Sequence, residues 1–160
     1  DVNTMGGNIE VQNVDGNVKL DTKGGNVRAR NVKGSVSAVT FAGQIDLVNI
    51  TGSVDAKTMS GSITVDINPA QNSKSRITTQ SGEIEIILPS NAKAEVEAEI
   101  RTWANWGNVR DLYNIESDFK ANEVSDGDRN KKIKNVYIIN GGGSKIEAKA
   151  TNGNISIKKK

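Results

Sequence analysis

The residues of this chain that could hold a metal ion lie in its last third. Asp126, Asp128 and Asn130 have the spacing of the first three ligands of a calcium-binding loop. Lys131 stands where such a loop needs glycine, and Tyr137 stands where it needs a bidentate glutamate. We therefore interpret this segment as a surface turn, and we expect no metal site and no cofactor.

Carboxylates in a row suggest a second kind of chemistry. Glu95, Glu97 and Glu99 alternate with apolar residues along one predicted strand. Two carboxylates can cleave a glycosidic bond when they flank the substrate and one of them has a raised pKa. Nothing in the neighbouring sequence encloses these three, so we interpret them as the solvated face of a strand and expect no enzyme activity.

Aromatic side chains suggest a third kind, the binding of a sugar or of a partner protein. Four of the six aromatic residues fall between residues 102 and 131. We favour a flap whose aromatic side chains cover the side or the end of the fold. The alternative is a ligand platform, because tryptophan and tyrosine stack well on sugars and partners. Its candidate residues are Trp103, Trp106 and Tyr113, with Arg101 and Arg110 as polar contacts.

The composition excludes several classes of function. The chain has no cysteine and no histidine, which excludes thiol catalysis, zinc sites built on these residues and a Ser-His-Asp triad. Its 21 basic and 19 acidic residues give a net charge of +2, which provides no overall field for nucleic acid or an anionic membrane. No apolar run approaches the length of about 20 residues that a membrane span needs.

A glycine recurs every nine residues through the first part of the chain, and each is followed two residues later by Ile or Val. The apolar-polar-apolar stretch after each glycine is typical of a half-buried strand. Glycine suits a corner, where unusual φ values and close backbone stacking are needed. The predicted corner glycines are Gly7, Gly16, Gly25, Gly34, Gly43, Gly52 and Gly61, with Gly82 and Gly153 in later units.

Two kinds of nine-residue unit alternate, so the full repeat is 18 residues long. One kind begins with threonine and the other with asparagine, and we expect each kind to stack in a ladder from coil to coil. The simplest geometry is a β-solenoid with two short strands per coil and coils stacked at about 4.8 Å. The ladder residues are Thr4, Thr22, Thr40 and Thr58, and Asn13, Asn31 and Asn49.

The rest of the chain keeps the repeat less strictly. We predict a single β-solenoid domain over residues 1–160, with regular coils over 1–67 and less regular coils over 68–101. An aromatic-rich, irregular excursion follows over 102–131, and closing coils over 132–160. The sequence shows no signal peptide and opens inside its first repeat, so we expect an export signal or anchor to have been removed before Asp1.

The stretch "TMGGNIEVQNVDGNVKLDTKGGNVRARNVKGSV" resembles the bacterial putative-adhesin or toast-rack family of β-strand-repeat proteins. The later stretches "SGEIEIILPSNAKAEVEAEI" and "GGGSKIEAKATNGNISIKK" are similar to the distal half of that family. The resemblance implies an all-β, right-handed, single-stranded β-helix-like fold. It also implies export to the periplasm or cell surface, and no established enzyme activity.

From the residues and the resemblance together we expect a non-catalytic, extracytoplasmic module that is adhesin-like. It would present flat ladders and an aromatic flap to a protein or glycan partner at the cell envelope, and would not bind nucleic acid. Two alternatives stay open. One is a polysaccharide-active β-helix enzyme, and the other is an envelope-stress module that oligomerises through its coil ends.

Overall fold

A computed structural model of the protein describes residues 1–103, 108–126 and 131–160. The described residues form strands with one short helix. The elements are β1 (Val2–Thr4), β2 (Ile9–Asp15), β3 (Val18–Gly24), β4 (Val27–Lys33), β5 (Val36–Ala42), β6 (Ile45–Ile50), β7 (Val54–Ser60), β8 (Ile63–Ile67), β9 (Lys74–Ser81), β10 (Ile84–Leu88), β11 (Ala94–Arg101), α1 (Val109–Leu112), β12 (Ile115–Ser117), β13 (Glu123–Asp126), β14 (Lys132–Ile139), β15 (Ser144–Thr151) and β16 (Ile155–Lys159).

Strands β1 to β12 alternate between two sheets. One sheet has nine strands in the order β1-β3-β5-β7-β9-β15-β11-β14-β13, and the other has seven in the order β12-β16-β10-β8-β6-β4-β2. Ile9 pairs with Val27, Val27 with Ile45, and Ile45 with Ile63, all in parallel register. The predicted β-solenoid with 18 residues per coil is therefore confirmed.

The space between the two sheets is the hydrophobic core. In most strands every second residue points into it, as in β7, where Val54, Ala56 and Thr58 are buried and Asp55 and Lys57 are exposed. The buried apolar side chains form one continuous cluster from Ile9 to Ile157. Each side chain stacks on its equivalents in the coils on either side, so every coil depends on its neighbours for burial.

Glycine is needed at the corners because consecutive coils touch through their backbones. A Cβ atom on Gly43 would lie 2.1 Å from the carbonyl oxygen of Gly25. The same close approach recurs along the stack, up to Gly153, where a Cβ atom would lie 1.8 Å from the oxygen of Gly82. Any side chain at these corners would force the coils apart.

The asparagine corners use a left-handed backbone that other L-residues adopt at a cost. Asn13, Asn31 and Asn49 have φ values of 56°, 52° and 57°. Their side chains form a ladder on the outside of the solenoid, in which Asn49 Nδ2 donates to Asn31 Oδ1 at 2.9 Å and Asn31 Nδ2 donates to Asn13 Oδ1 at 2.9 Å. The predicted asparagine ladder is therefore present in the structure.

The threonine column faces inward and ties each coil to the one before it. The Oγ1 of Thr40 donates to the carbonyl oxygen of Gly25 at 3.0 Å, and the Oγ1 of Thr58 donates to that of Gly43 at 3.1 Å. In these bonds each hydroxyl satisfies a glycine carbonyl of the neighbouring coil. Thr4, in the first strand, differs, because its Oγ1 reaches only the nearby Gly6 carbonyl at 3.5 Å.

The stacking order departs from the chain order after β10. The last coil, β15 and β16, stacks directly on β9 and β10, and β11 then packs on the far side of β15. Strand β14 runs antiparallel to β11, and β13 runs antiparallel to β14. The first half of residues 132–160 therefore forms an antiparallel edge to the nine-stranded sheet, and the second half forms a parallel coil.

Part of the aromatic-rich segment closes the far end of the solenoid. Strand β12 pairs with β16 as the last strand of the seven-stranded sheet. Val109 of α1 and Ile115 of β12 are buried in the core, and Tyr113 and Phe119 pack against it. These contacts place residues 108–119 over the end of the core, where a solenoid needs cover.

Candidate binding surfaces

The predicted aromatic platform is only partly brought together. Trp103 follows β11 and is 69% exposed, and its backbone N–H donates to Asn152 Oδ1 at 3.4 Å. Tyr113 instead ends α1 and packs against the core, with its N–H donating to the Val109 carbonyl at 2.8 Å. Trp106 lies outside the described residues. Trp103 is thus exposed just past the end of β11, while Tyr113 contributes to the segment that covers the end of the core.

The two candidate arginines lie in different surroundings. Arg101, at the end of β11, donates from Nε to Glu99 Oε1 at 2.6 Å. Arg110 is an exposed residue of α1, and its backbone N–H donates to Asn108 Oδ1 at 3.1 Å. Arg101 and Trp103 therefore lie near the end of β11, and Arg110 belongs to the segment of residues 108–119 that covers the end of the core.

Glu99 is the one carboxylate in the described residues that is nearly buried on an outward face. Its side chain is 6% exposed and lies between Arg101 and Lys132, whose Nζ is 2.9 Å from Glu99 Oε2. Burial alone would raise the pKa of Glu99. Hydrogen bonds from Lys132 and Arg101, together with their positive charges, outweigh the burial and hold the pKa below its ordinary value of 4.5. Glu99 is therefore ionised and structural rather than a proton donor.

Several other carboxylates are also paired with cations. Asp46 lies 3.1 Å from Arg28 on the seven-stranded sheet, and Glu97 lies 3.0 Å from Lys134 on the nine-stranded sheet. No group of three or more carboxylates able to hold a metal ion occurs within residues 1–103, 108–126 and 131–160. The turn predicted at Asp126, Asp128 and Asn130 falls largely outside these ranges, because residues 127–130 are not described.

An open groove of about 630 Å³ runs across the outer face of the nine-stranded sheet. Its walls combine hydroxyl groups with charges of both signs. At one corner, Ser53 Oγ donates to Ser35 Oγ at 2.8 Å, one coil apart. The hydroxyl residues are Ser35, Ser37, Ser53 and Ser75, and the charged residues are Asp1, Lys19, Asp55, Lys74, Arg76, Lys145 and Glu147.

A column of exposed residues runs along the opposite edge of the same face, where the strands end before a corner. Register places Lys23 beside Phe41, Phe41 beside Met59, and Met59 beside Gln80. We call this set the edge column: Met5, Lys23, Phe41, Met59, Gln80, Thr151, Arg101 and Lys132. Trp103 lies two residues beyond Arg101 along the chain, past the end of β11. The sequence contained one sign of the edge column's exposure, because a lysine occupies the same repeat position as Met5, Phe41 and Met59.

The fold and these faces define a β-solenoid repeat protein. A family model described as Toastrack DUF4097 matches residues 1–158, and the chain belongs to that family. This confirms the family resemblance predicted from the repeats. Among the described residues, no helix has the length and apolar character needed to cross a membrane.

Other comparisons are more distant. A crystal structure described as that of a putative cell adhesion protein from Clostridium sporogenes shares 11% identity, with 98% of this chain and 92% of that chain covered. Its TM-score is 0.34, and a likeness at this level carries no argument about this chain. No curated protein matched the chain.

Proposed function

We propose that the protein is a non-catalytic, extracytoplasmic binding module that holds an extended glycan of the cell envelope in the groove of the nine-stranded sheet. The observation that carries this proposal is the groove itself. It is open along its length and is lined by hydroxyl and charged groups that recur from coil to coil. Such a surface suits a linear, polar polymer, because sugar hydroxyls bond well to serine and to charged side chains.

The ion pairs support a role in binding rather than in catalysis. Glu147 lies 3.7 Å from Arg76 and 3.8 Å from Lys149, and Glu97 lies 3.9 Å from Lys145. Glycoside hydrolysis needs two carboxyl groups that flank the scissile bond, and Glu147 of the groove is instead paired with cations. These ion pairs present charged groups of both signs to a sugar chain.

The test is a glycan array, followed by titration calorimetry with the best envelope glycan. We expect Arg76→Ala to weaken binding by about tenfold, since a charge-assisted hydrogen bond would be lost. Arg30→Ala is the matched control, because Arg30 is an exposed arginine of β4 on the other sheet. Trp103→Ala, at a residue that does not line the groove, tests separately whether a glycan also contacts the aromatic platform predicted from the sequence. Failure of every glycan to bind would contradict the proposal, and so would the appearance of shortened glycan products.

A second candidate is assembly through the coil ends. Strands β1 and β2 are the outermost strands of their two sheets in the described structure, and a second copy could pair with their edges. Analytical ultracentrifugation tests this directly. A concentration-dependent dimer that is lost on placing proline at Asn3 or Glu10 would favour assembly over simple presentation of the groove.

A further inference from the structure

The edge column combines exposed apolar side chains with cations. Met5 is 71% exposed, Phe41 60% and Met59 37%. They are three of the seven large hydrophobic side chains exposed among the described residues, and Trp103 is a fourth. At about 4.8 Å per strand, the column from Met5 to Arg101 is about 29 Å long, and its apolar side chains occupy about the first 14 Å, from Met5 to Met59. Exposed apolar side chains grouped on a rigid fold are typical of an interaction surface.

The charges around these side chains are mostly positive. The edge column itself contributes Lys23, Arg101 and Lys132 and contains no carboxylate. The next column of the same face has three lysines and two carboxylates. Arg101 and Lys132 are paired with Glu99, Lys134 with Glu97 and Lys149 with Glu147, so Lys23 and Lys57 are the cations of these two columns that stand outside the ion pairs of the described residues. That neighbouring column consists of Asn3, Asp21, Val39, Lys57, Thr78, Lys149, Glu99, Lys134 and Ser125.

One outward column of the opposite sheet carries mostly negative charge. This column has four carboxylates and one arginine, in the order Glu10, Arg28, Asp46, Thr64, Glu85, Ser156 and Glu116. The next outward column of that sheet is not acidic, because it carries Arg30 and Lys158 as well as Asp66. An anionic surface would attract Lys23 of the edge column and Lys57 beside it and repel the acidic column of the other sheet, which favours one orientation of docking.

The shape of the edge column favours docking on a flat surface over binding of an extended polymer. Its side chains project from the ends of strands just before a corner, and none of them lines the groove. Apolar and aromatic side chains that project from a ridge can enter the headgroup layer of a bilayer while neighbouring lysines contact phosphate groups. A glycan or a peptide is usually held in a concave site instead.

We propose that the edge column docks the protein, lying on its side, against a bilayer that contains anionic phospholipid. Phe41, Met59, Met5 and Trp103 enter the interface, and Lys23 and Lys57 contact the lipid phosphates. The interaction is peripheral and does not depend on a membrane-spanning segment. It also does not depend on glycan binding in the groove, so the two proposals stand or fall separately.

The test is flotation with two kinds of vesicle, one of phosphatidylcholine alone and one of equal parts phosphatidylcholine and phosphatidylglycerol. We expect the protein to float with the anionic vesicles only, and to be released as salt is raised. Phe41→Ser combined with Met59→Ser should weaken binding at least about tenfold, since two buried apolar side chains are lost. Lys23→Gln and Lys57→Gln should each weaken it about fivefold.

The matched control is Ile138→Ser. Ile138 is 48% exposed on the same sheet but pairs with Glu95, away from the edge column, so its loss should leave vesicle binding unchanged. Circular dichroism and the urea midpoint establish that each variant is folded. Equal binding to both kinds of vesicle would overturn the proposal. Unchanged vesicle binding by the Phe41/Met59 double variant would overturn it as well. Glycan binding without vesicle binding would overturn it while leaving the proposed function intact.

Two other results would assign the edge column to a different partner. If the protein does not bind vesicles but forms a dimer that the Phe41→Ser and Met59→Ser substitutions abolish, the column contacts a second copy. If the protein does not bind vesicles and a purified envelope protein binds through the same two residues, the column is a protein-binding site. Either result would contradict docking to lipid.

Discussion

The side-chain amide of Asn31 donates a hydrogen bond of 2.9 Å to the side-chain carbonyl of Asn13, although the two residues are 18 positions apart. Asn49 repeats this bond to Asn31 at the same distance. The backbone at all three positions is left-handed, a conformation that asparagine tolerates better than most residues. One residue type thus forms the corner and also links the coils along the outside.

The first prediction concerns this ladder. Asn31→Ala removes two side-chain hydrogen bonds and leaves alanine at a φ of 52°, a left-handed conformation that alanine tolerates less well than asparagine does. We expect it to lower the free energy of unfolding by about 2 kcal/mol, which urea denaturation would measure. Asn31→Gly removes the same bonds without the backbone strain and should be about 1 kcal/mol more stable than the alanine variant. Equal stability of the two variants would mean that backbone strain contributes nothing here.

The second prediction tests the close stacking of the glycine corners. Gly43→Ala puts a methyl carbon 2.1 Å from the carbonyl oxygen of Gly25. The methyl carbon is attached to the backbone of one coil and the oxygen belongs to the backbone of the coil before it, so neither can move away without shifting a coil. We expect a loss of more than about 3 kcal/mol or a failure to fold. Gly24→Ala is the control, since nothing lies within 4 Å of the added Cβ atom. Its unfolding midpoint should change little, and a comparable loss there would show that stacking is not the cause.

The repeat in the sequence was sufficient to predict the coil. Glycines nine residues apart, each followed by Ile or Val at a fixed distance, require matching residues to stack every 18 positions, and Ile9, Val27 and Ile45 do so. Thr79 lies 21 residues after Thr58 instead of 18, and the two residues pair in spite of this three-residue insertion. A short repeat with strict spacing leaves few other ways to bury its apolar positions.

The order of the later strands was not readable from the sequence. The resemblance of Ile155-Ser156-Ile157 to earlier units indicates a coil, but it does not say that this coil stacks on Ile84 rather than on a later strand. Likewise, alternation in residues 132–139 indicates a strand without giving its direction, and β14 is antiparallel. Both features depend on long-range pairing, which local patterns do not encode.

The surfaces were predicted less well than the coil. Phe41 and Met59 are apolar residues in a regular repeat, and such residues are usually buried. Only the presence of Lys23 at the same repeat position indicates that the column faces outward. The groove depends on which outward columns lie side by side, including Glu147 of the last coil beside Arg76 of β9, and that pairing follows from the unpredicted strand order.

The third prediction is a pH dependence of stability that arises from Glu99. Because its pKa is lower in the folded protein than the ordinary value of 4.5, the ionised form stabilises the fold above about that pH. This contribution is lost as the pH falls through the lowered folded pKa. We expect Glu99→Gln to cost about 1–2 kcal/mol at pH 7, with the difference from the unmodified protein shrinking as the pH falls below 4.5.

Glu95→Gln provides the control for this pH series. Glu95 lies on the same strand, but its side chain is 43% exposed and the Nζ of Lys145 lies 4.0 Å from its Oε1. Exposed pairs of this kind contribute less than about 0.5 kcal/mol. Urea denaturation of both variants across the acidic range is the measurement. A Glu99→Gln difference that does not vary with pH would contradict the assigned role of the carboxylate.

The fourth prediction concerns the cover over the far end of the solenoid. Val109 of α1 is 1% exposed. The segment that follows it is hydrogen-bonded to the last coil. The Ile155 N–H donates to the Asn114 carbonyl at 3.1 Å, and the Asn114 N–H donates to Asn154 Oδ1 at 2.9 Å. Val109→Ala should therefore lower the free energy of unfolding by about 2 kcal/mol and speed amide exchange in β16. Val124→Ala, at a residue that is 57% exposed, should change stability by less than about 0.5 kcal/mol. Faster exchange confined to α1 with β16 unaffected would show that the aromatic-rich segment lies on the end of the core without closing it.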